Sequence, residues 1–171
     1  MINYCIDKIE NRVLNVYTQI QPKERPRVTK AGITYTPQRT KQSETQIVKE
    51  LEQQVKTKYN NRVYLGDLKV NLTIYKKDGK GRGDIDNLAK QILDACLKVG
   101  KKNKEYISGS IFYDDVDIKN LNINIEYIEE CSDIEEGFKM EIICLDNTSK
   151  QSIDRNKRRM KKIKNNGFNL L

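Results

Sequence analysis

The chain has 171 residues, with 32 Lys+Arg against 24 Asp+Glu, four cysteines and no histidine. That length fits one domain with room for a real core, although 37% apolar content is thin. The missing histidine excludes Ser-His-Asp and Cys-His catalysis, His-ligated zinc or haem, and any imidazole proton shuttle. Chemistry at neutral pH must then rest on carboxylates, lysines, tyrosines, thiols or a metal.

Residues 2–6 are a candidate strand, and 13–20 (VLNVYTQI) are rich in β-formers and read as another. All three prolines fall between Pro22 and Pro37 in a cationic, loop-like stretch, where Gly32 is placed to turn a short hairpin. Thr40–Lys58 contains no Gly or Pro and sets Ile47, Leu51 and Val55 on one stripe, which predicts an amphipathic helix. Residues 68–76 alternate with Leu68, Val70, Leu72 and Ile74 on one face, as a half-buried strand does. After the turn-rich KKDGKGRGD, a second helix is expected from about Asp86 to Val99, with Leu88, Ile92, Ala95, Cys96 and Val99 inward and Gly100 at its C′ position. Residues 116–128 form a long alternating strand whose alternation slips between Ile118 and Leu121, the mark of a bulge, and 137–145 give the last strand. The order implies an α+β (mixed α/β) domain, two helices laid on one face of a small sheet. The segment after Asp146 lacks a long apolar stripe and reads as a flexible or partly helical extension.

No apolar run is long enough to span a bilayer, and MINYCIDKIE contains no signal-peptide apolar core, so a cytoplasmic protein without a membrane partner is expected. Cys5, Cys96, Cys131 and Cys144 lack CxxC spacing and read as buried free thiols, with disulfides or an all-cysteine zinc site as the alternatives.

The net charge of +8 is unevenly distributed. Residues 150–171 hold eight basic side chains and one acid, so residues 1–149 carry a net charge of only +1. That remainder is zoned: 22–58 carry +5, 69–82 carry +4, and 105–149 carry −10. One basic run is usually a solvated face, but several flanking an acidic motif point to a polyanion partner. Lys23, Arg25, Arg27, Lys30, Arg39, Lys80 and Arg82 are the candidate phosphate contacts.

Asp84 and Asp86 sit where a Gly-rich turn meets a helix, with Lys90 and Asp94 on an i, i+4 line from Asp86, and Asp114-Asp115 end the loop before the next strand. If that loop carries the second pair back over the helix start, the converging carboxylates repel one another unless a hard divalent cation such as Mg²⁺ or Mn²⁺ joins them. The bland alternative stays open, because Asp at a helix start is an ordinary N-cap and Asp-Asp in a loop is commonly just solvated. The stretch is neither an EF-hand, since Leu88 stands where a ligand should, nor a phosphate-binding Walker loop, since GKGRGD lacks the Gly-Lys-Ser/Thr ending.

The string Asp84-x-Asp86-Asn87-Leu88-x-Lys90-x-x-x-Asp94-Ala95, followed by Asp114-Asp115-x-x-Ile118, resembles the RusA family of Holliday-junction resolvases. Pro22-Lys-x-Arg25-Pro26-Arg27 and Tyr35-Thr36-Pro37 are similar to that family's basic loop, and the likeness covers roughly residues 13–145. The resemblance implies a homodimeric, Mg²⁺-dependent endonuclease, bacterial or phage-encoded, that makes paired nicks across four-way DNA junctions during recombination and repair. It implies Asp84, Asp86 and Asp115 as catalytic metal-binding carboxylates and Lys90 as the catalytic lysine, with Asp114 and Asp94 as support. Residues 1–12 become an N-terminal extension or extra strand, 13–146 the nuclease domain, and 147–171 a basic tail, flexible or partly helical, that either binds DNA non-specifically or is disordered. The connection 100–113 is longer than the family's usual loop. A nuclease for other branched DNA and a non-catalytic nucleic-acid-binding protein are the alternatives.

Overall fold

The computed structural model describes residues 11–58, 66–77, 84–99, 101–102, 105–106, 111–112, 114–129, 131, 133–145 and 150–165. In chain order these form β1 (Arg12–Val16), β2 (Arg27–Val28), β3 (Thr34–Tyr35), α1 (Gln38–Lys58), β4 (Leu68–Lys77) and α2 (Ile85–Lys98). There follow β5 (Lys101–Lys102), β6 (Glu105–Tyr106), a 3₁₀ turn (Asp115–Asp117), β7 (Ile118–Ile128), β8 (Gly137–Cys144) and α3 (Lys150–Asn165). The candidate strand at 2–6 and the glycine Gly100 lie outside the described residues.

Strict alternation makes β4 the middle of the sheet: Leu68, Val70, Leu72 and Ile74 are buried, and the residues between them are half-buried. The four-stranded order is β1-β8-β4-β7, with β4 antiparallel to β8 and parallel to β7. Parallel neighbours need a crossover, and α2 supplies it, so β4-α2-β7 is a βαβ unit. The expected α+β class holds, with α1 and α2 covering one face of the sheet. Ile47, Leu51 and Val55 from α1 and Leu88, Ile92, Ala95 and Cys96 from α2 join the strand residues in one core. Each fully buried Leu or Ile there contributes about 1.5–3 kcal/mol. The expected bulge is also present. Leu68 pairs with Ile118 but Lys69 with Asn120, so Lys119 has no opposite number on β4. β7 is an edge strand, and its Leu121 and Tyr127 remain exposed.

The thiols divide. Cys96 is buried, its Sγ 3.9 Å from the Met140 Sδ, and burial pushes that thiol well above its ordinary pKa. Cys144 is half-buried and Cys131 is exposed, contrary to the expectation of burial, because Cys131 sits in the turn after β7 rather than in a strand. Among the described residues no helix is long and apolar enough to cross a membrane. The hairpin β2–β3 turns at Gly32 with φ +77°, as its position predicts.

Gly137 opens β8 where β1 ends, and a Cβ there would lie 1.8 Å from the Val16 carbonyl oxygen. Backbone cannot yield as a side chain does. Gly137→Ala should therefore loosen the β1–β8 pairing and lower stability by about 1–3 kcal/mol, read as a lower urea midpoint at unchanged m-value.

Candidate active site

α2 begins at the far end of β4 and presents Asp84, Asp86 and Lys90, all exposed. Asp84 is the N-cap residue with extended backbone, φ −61° and ψ 140°, yet its side chain makes no capping hydrogen bond. Only its backbone oxygen serves the helix, accepting from the Leu88 N–H at 3.1 Å. The carboxylate instead accepts from the Asn87 amide Nδ2 at 3.4 Å. The ordinary capping explanation for an aspartate here therefore fails. Asp86 lies in the first turn, where the helix dipole favours negative charge, and Lys90 follows one turn later.

Asp94 has a different employment. It is half-buried and ion-paired with the Lys23 ammonium. The Lys23 backbone N–H also donates to the Asn87 carbonyl at 3.3 Å, and the next N–H, of Glu24, donates to the Thr40 hydroxyl at 3.3 Å. Buried Gln91 closes the lacing by donating to the Thr40 carbonyl at 3.0 Å. These bonds hold the basic loop against the aspartate-bearing end of α2. Arg25, Lys30 and Arg39 are exposed, as is Arg27, which pairs with Glu24 at 3.0 Å. Glu24, Arg27, Tyr35, Pro37, Gln38 and Arg39 line an open depression of about 560 Å³. Lys80 and Arg82 lie outside the described residues.

At the opposite end of the sheet, Asp114 caps the 3₁₀ turn, its Oδ1 accepting from the Val116 N–H at 3.5 Å. Asp115 is exposed. A hydrogen bond shared with the Asp114 carboxyl, reinforced by partial burial and that neighbour's charge, raises its pKa above the ordinary value. Asp117, two residues on, is completely buried. Burial raises its pKa, and the guanidinium groups of Arg159 and Arg155 oppose that rise. Both arginines come from α3. Arg159 Nη1 donates to the two carboxylate oxygens of Asp117 at 2.8 and 2.6 Å, and its Nη2 donates to Asp114 Oδ2 at 3.1 Å. Arg155 donates to Asp117 at 2.8 Å and to Ser152 Oγ at 3.2 Å, while Ser152 donates to buried Asp67 at 2.6 Å. The charge pattern of α3 reads as a nucleic-acid tail, but two of its cations face inward. Nothing in a run of charges marks Arg155 and Arg159 as the ones that a buried Asp117 will claim.

The expectation that the Asp114-Asp115 loop returns over the start of α2 is overturned. Ile118 pairs with Leu68, the first residue of β4, whereas α2 starts after the last. Fourteen residues of helix span about 20 Å, so the crossover separates the two acidic pairs. Among the described residues no group of three carboxylates or thiols is gathered to hold a metal ion. The donor chemistry nonetheless suits a hard divalent cation. Asp84 and Asp86 offer exposed oxygen ligands, and the crowded Asp114–Asp115 carboxyls would be relieved by a positive charge.

Truncating Asp117 would leave buried Arg159 and half-buried Arg155 without their shared carboxylate. Asp117→Ala should cost about 3–5 kcal/mol, measured by chemical denaturation followed by circular dichroism.

Residues 18–135, more than half of the chain, match the family described as endodeoxyribonuclease RusA. No curated protein shows significant similarity to the chain. The matched stretch contains the basic loop, both helices of the core, Asp84, Asp86, Lys90 and the Asp114–Asp117 turn, and on that match the chain belongs to the RusA family, endodeoxyribonucleases that resolve Holliday junctions.

Proposed function

We propose that the protein is a homodimeric, divalent-metal-dependent resolvase that makes paired nicks across four-way DNA junctions in recombination and repair, with each active site shared between two chains. The observation that carries this is the uncapped carboxylate of Asp84 at one end of a βαβ unit whose other end bears Asp115. A set using both needs a second copy. Two-fold symmetry supports the same reading, because an isologous contact that joins opposite ends does so twice and yields two equivalent sites.

In each site Asp84 and Asp86 would hold a Mg²⁺ ion from one chain and Asp115 of the partner subunit would complete the ligands, with Mn²⁺ an acceptable substitute. Once bound, such an ion polarises a phosphoryl oxygen and lowers the pKa of the attacking water. Lys90, one turn beyond Asp86, offsets charge building on the reacting phosphate. Asn87 steadies Asp84 through its amide. The Lys23–Asp94 pair keeps the basic loop beside them, so that Arg25, Lys30 and Arg39 can meet the flanking phosphates, joined by Lys80 and Arg82.

A labelled four-way junction and a linear duplex, each with Mg²⁺ or EDTA, test the activity. Paired, ligatable nicks on the junction alone, and only with metal, are expected. Binding without cleavage would point to a non-catalytic binder, and equal cutting of flaps or forks to a broader branched-DNA nuclease. Asp84→Asn should reduce cutting at least about 100-fold, the upper end of what loss of a metal site's supporting contacts costs, while junction binding persists.

Mixing the chains tests the shared site. Asp84→Asn and Asp115→Asn are each expected to be inactive alone. A co-refolded mixture should regain single, unpaired nicks, because its heterodimers contain one intact site. No recovery in demonstrably mixed dimers would rule out a site that takes Asp84 from one chain and Asp115 from the other.

A further inference from the structure

α3 lies wholly outside the stretch that matches the family, yet it reaches directly into the turn carrying Asp115. We infer that Arg159 is a positioning residue for Asp115, acting through Asp114, so that the C-terminal helix is a working part of the active site. The inference rests on Asp115 being a catalytic carboxylate.

Arg159 is buried and its planar guanidinium holds two carboxylates at once. Nη1 takes both oxygens of Asp117, and Nη2 takes Oδ2 of Asp114. Those two residues bracket Asp115. Asp114 is further committed to the turn, with its Oδ1 toward the Val116 N–H and its carbonyl accepting from the Asp117 N–H at 3.2 Å. With one oxygen of Asp114 held by Arg159, Asp115 is the more exposed member of the pair. A helix that merely had to be anchored would be complete with Asp117, which already receives Arg155 and one nitrogen of Arg159. The link to the half-exposed Asp114 adds little to anchoring, since pairs open to water contribute at most about 1 kcal/mol. It does fix the orientation of the segment that presents Asp115. Lysine cannot reproduce it, because a single ammonium lacks the guanidinium's fork.

The test compares full-length Arg159→Lys, Arg159→Gln and Arg155→Lys, with Asp115→Asn alongside. Four readouts apply: kcat and KM on the four-way junction with Mg²⁺, Mn²⁺ binding to the DNA-free protein by electron paramagnetic resonance, thermal midpoint, and mass in solution. Both Arg159 variants should lose about 10–100-fold in kcat and in Mn²⁺ affinity with KM little changed, the cost typical of a lost supporting contact at a metal site. Arg155→Lys should lower the thermal midpoint as much as Arg159→Lys while keeping kcat and Mn²⁺ affinity near those of the unmodified protein.

Arg159→Lys carries the test alone if the glutamine variant does not fold. Wild-type kcat and Mn²⁺ binding in Arg159→Lys would overturn the inference, as would equal losses in Arg155→Lys, which would mark a general effect of α3 on stability. Asp115→Asn separates the two levels. If it is inactive while Arg159→Lys is normal, only the positioning role falls; if it cuts normally, the assignment of Asp115 falls as well.

Discussion

Parallel pairing of β4 with β7 is the constraint on which the rest of the molecule depends. Parallel neighbours cannot be joined by a tight turn, so the chain must return along the sheet, and α2 is that return. The consequence for chemistry is direct. Whatever stands before α2 lies at one end of the sheet, and whatever stands before β7 lies at the other. Asp84 and Asp86 fall in the first position and Asp114-Asp115 in the second. Two acidic pairs about thirty positions apart in sequence are thereby held apart by the length of a helix.

Different means make each end rigid. At the α2 start, neutral hydrogen bonds from Lys23, Glu24 and Gln91 lace the basic loop to two helices, and the Lys23–Asp94 pair reinforces them. This holds the basic loop against the helix whose first turn carries the exposed carboxylates. At the other end the device is ionic and centred on a buried carboxylate. Asp67, Asp117, Ser152, Arg155 and Arg159 form a cluster in which no charge could be removed cheaply, because each relies on the others for compensation. Such a cluster often adds less stability than an apolar patch of the same size. It also draws in the bulge, since Lys119, the residue without a partner on β4, sits 3.8 Å from Asp67 and donates to the Val116 carbonyl.

The electropositive bias of the chain divides accordingly. Buried Arg159 and half-buried Arg155 turn toward Asp117, while Lys150, Lys157, Arg158 and Lys161 on the same helix remain exposed. Net charge is thus a poor guide to the surface a nucleic acid would meet.

Period and punctuation carried most of the fold. The two-residue repeat of Leu68–Ile74 and the four-residue stripe Ile47–Leu51–Val55 determined a strand and a helix without outside help, since each face can be buried in only one way. The slip between Ile118 and Leu121 likewise announced the bulge, and the spacing of Asp84, Asp86 and Lys90 set them on the first turns of one helix. Local pattern, however, contains no direction of pairing. That β7 runs parallel to β4, separating the acidic pairs instead of uniting them, was decided only when strands were placed side by side. The same holds for α3, whose cations look alike in sequence. Only the tertiary contact with a carboxylate sealed from water made two of them structural, because the cost of burying a charge is set by its surroundings and not by its own chemistry.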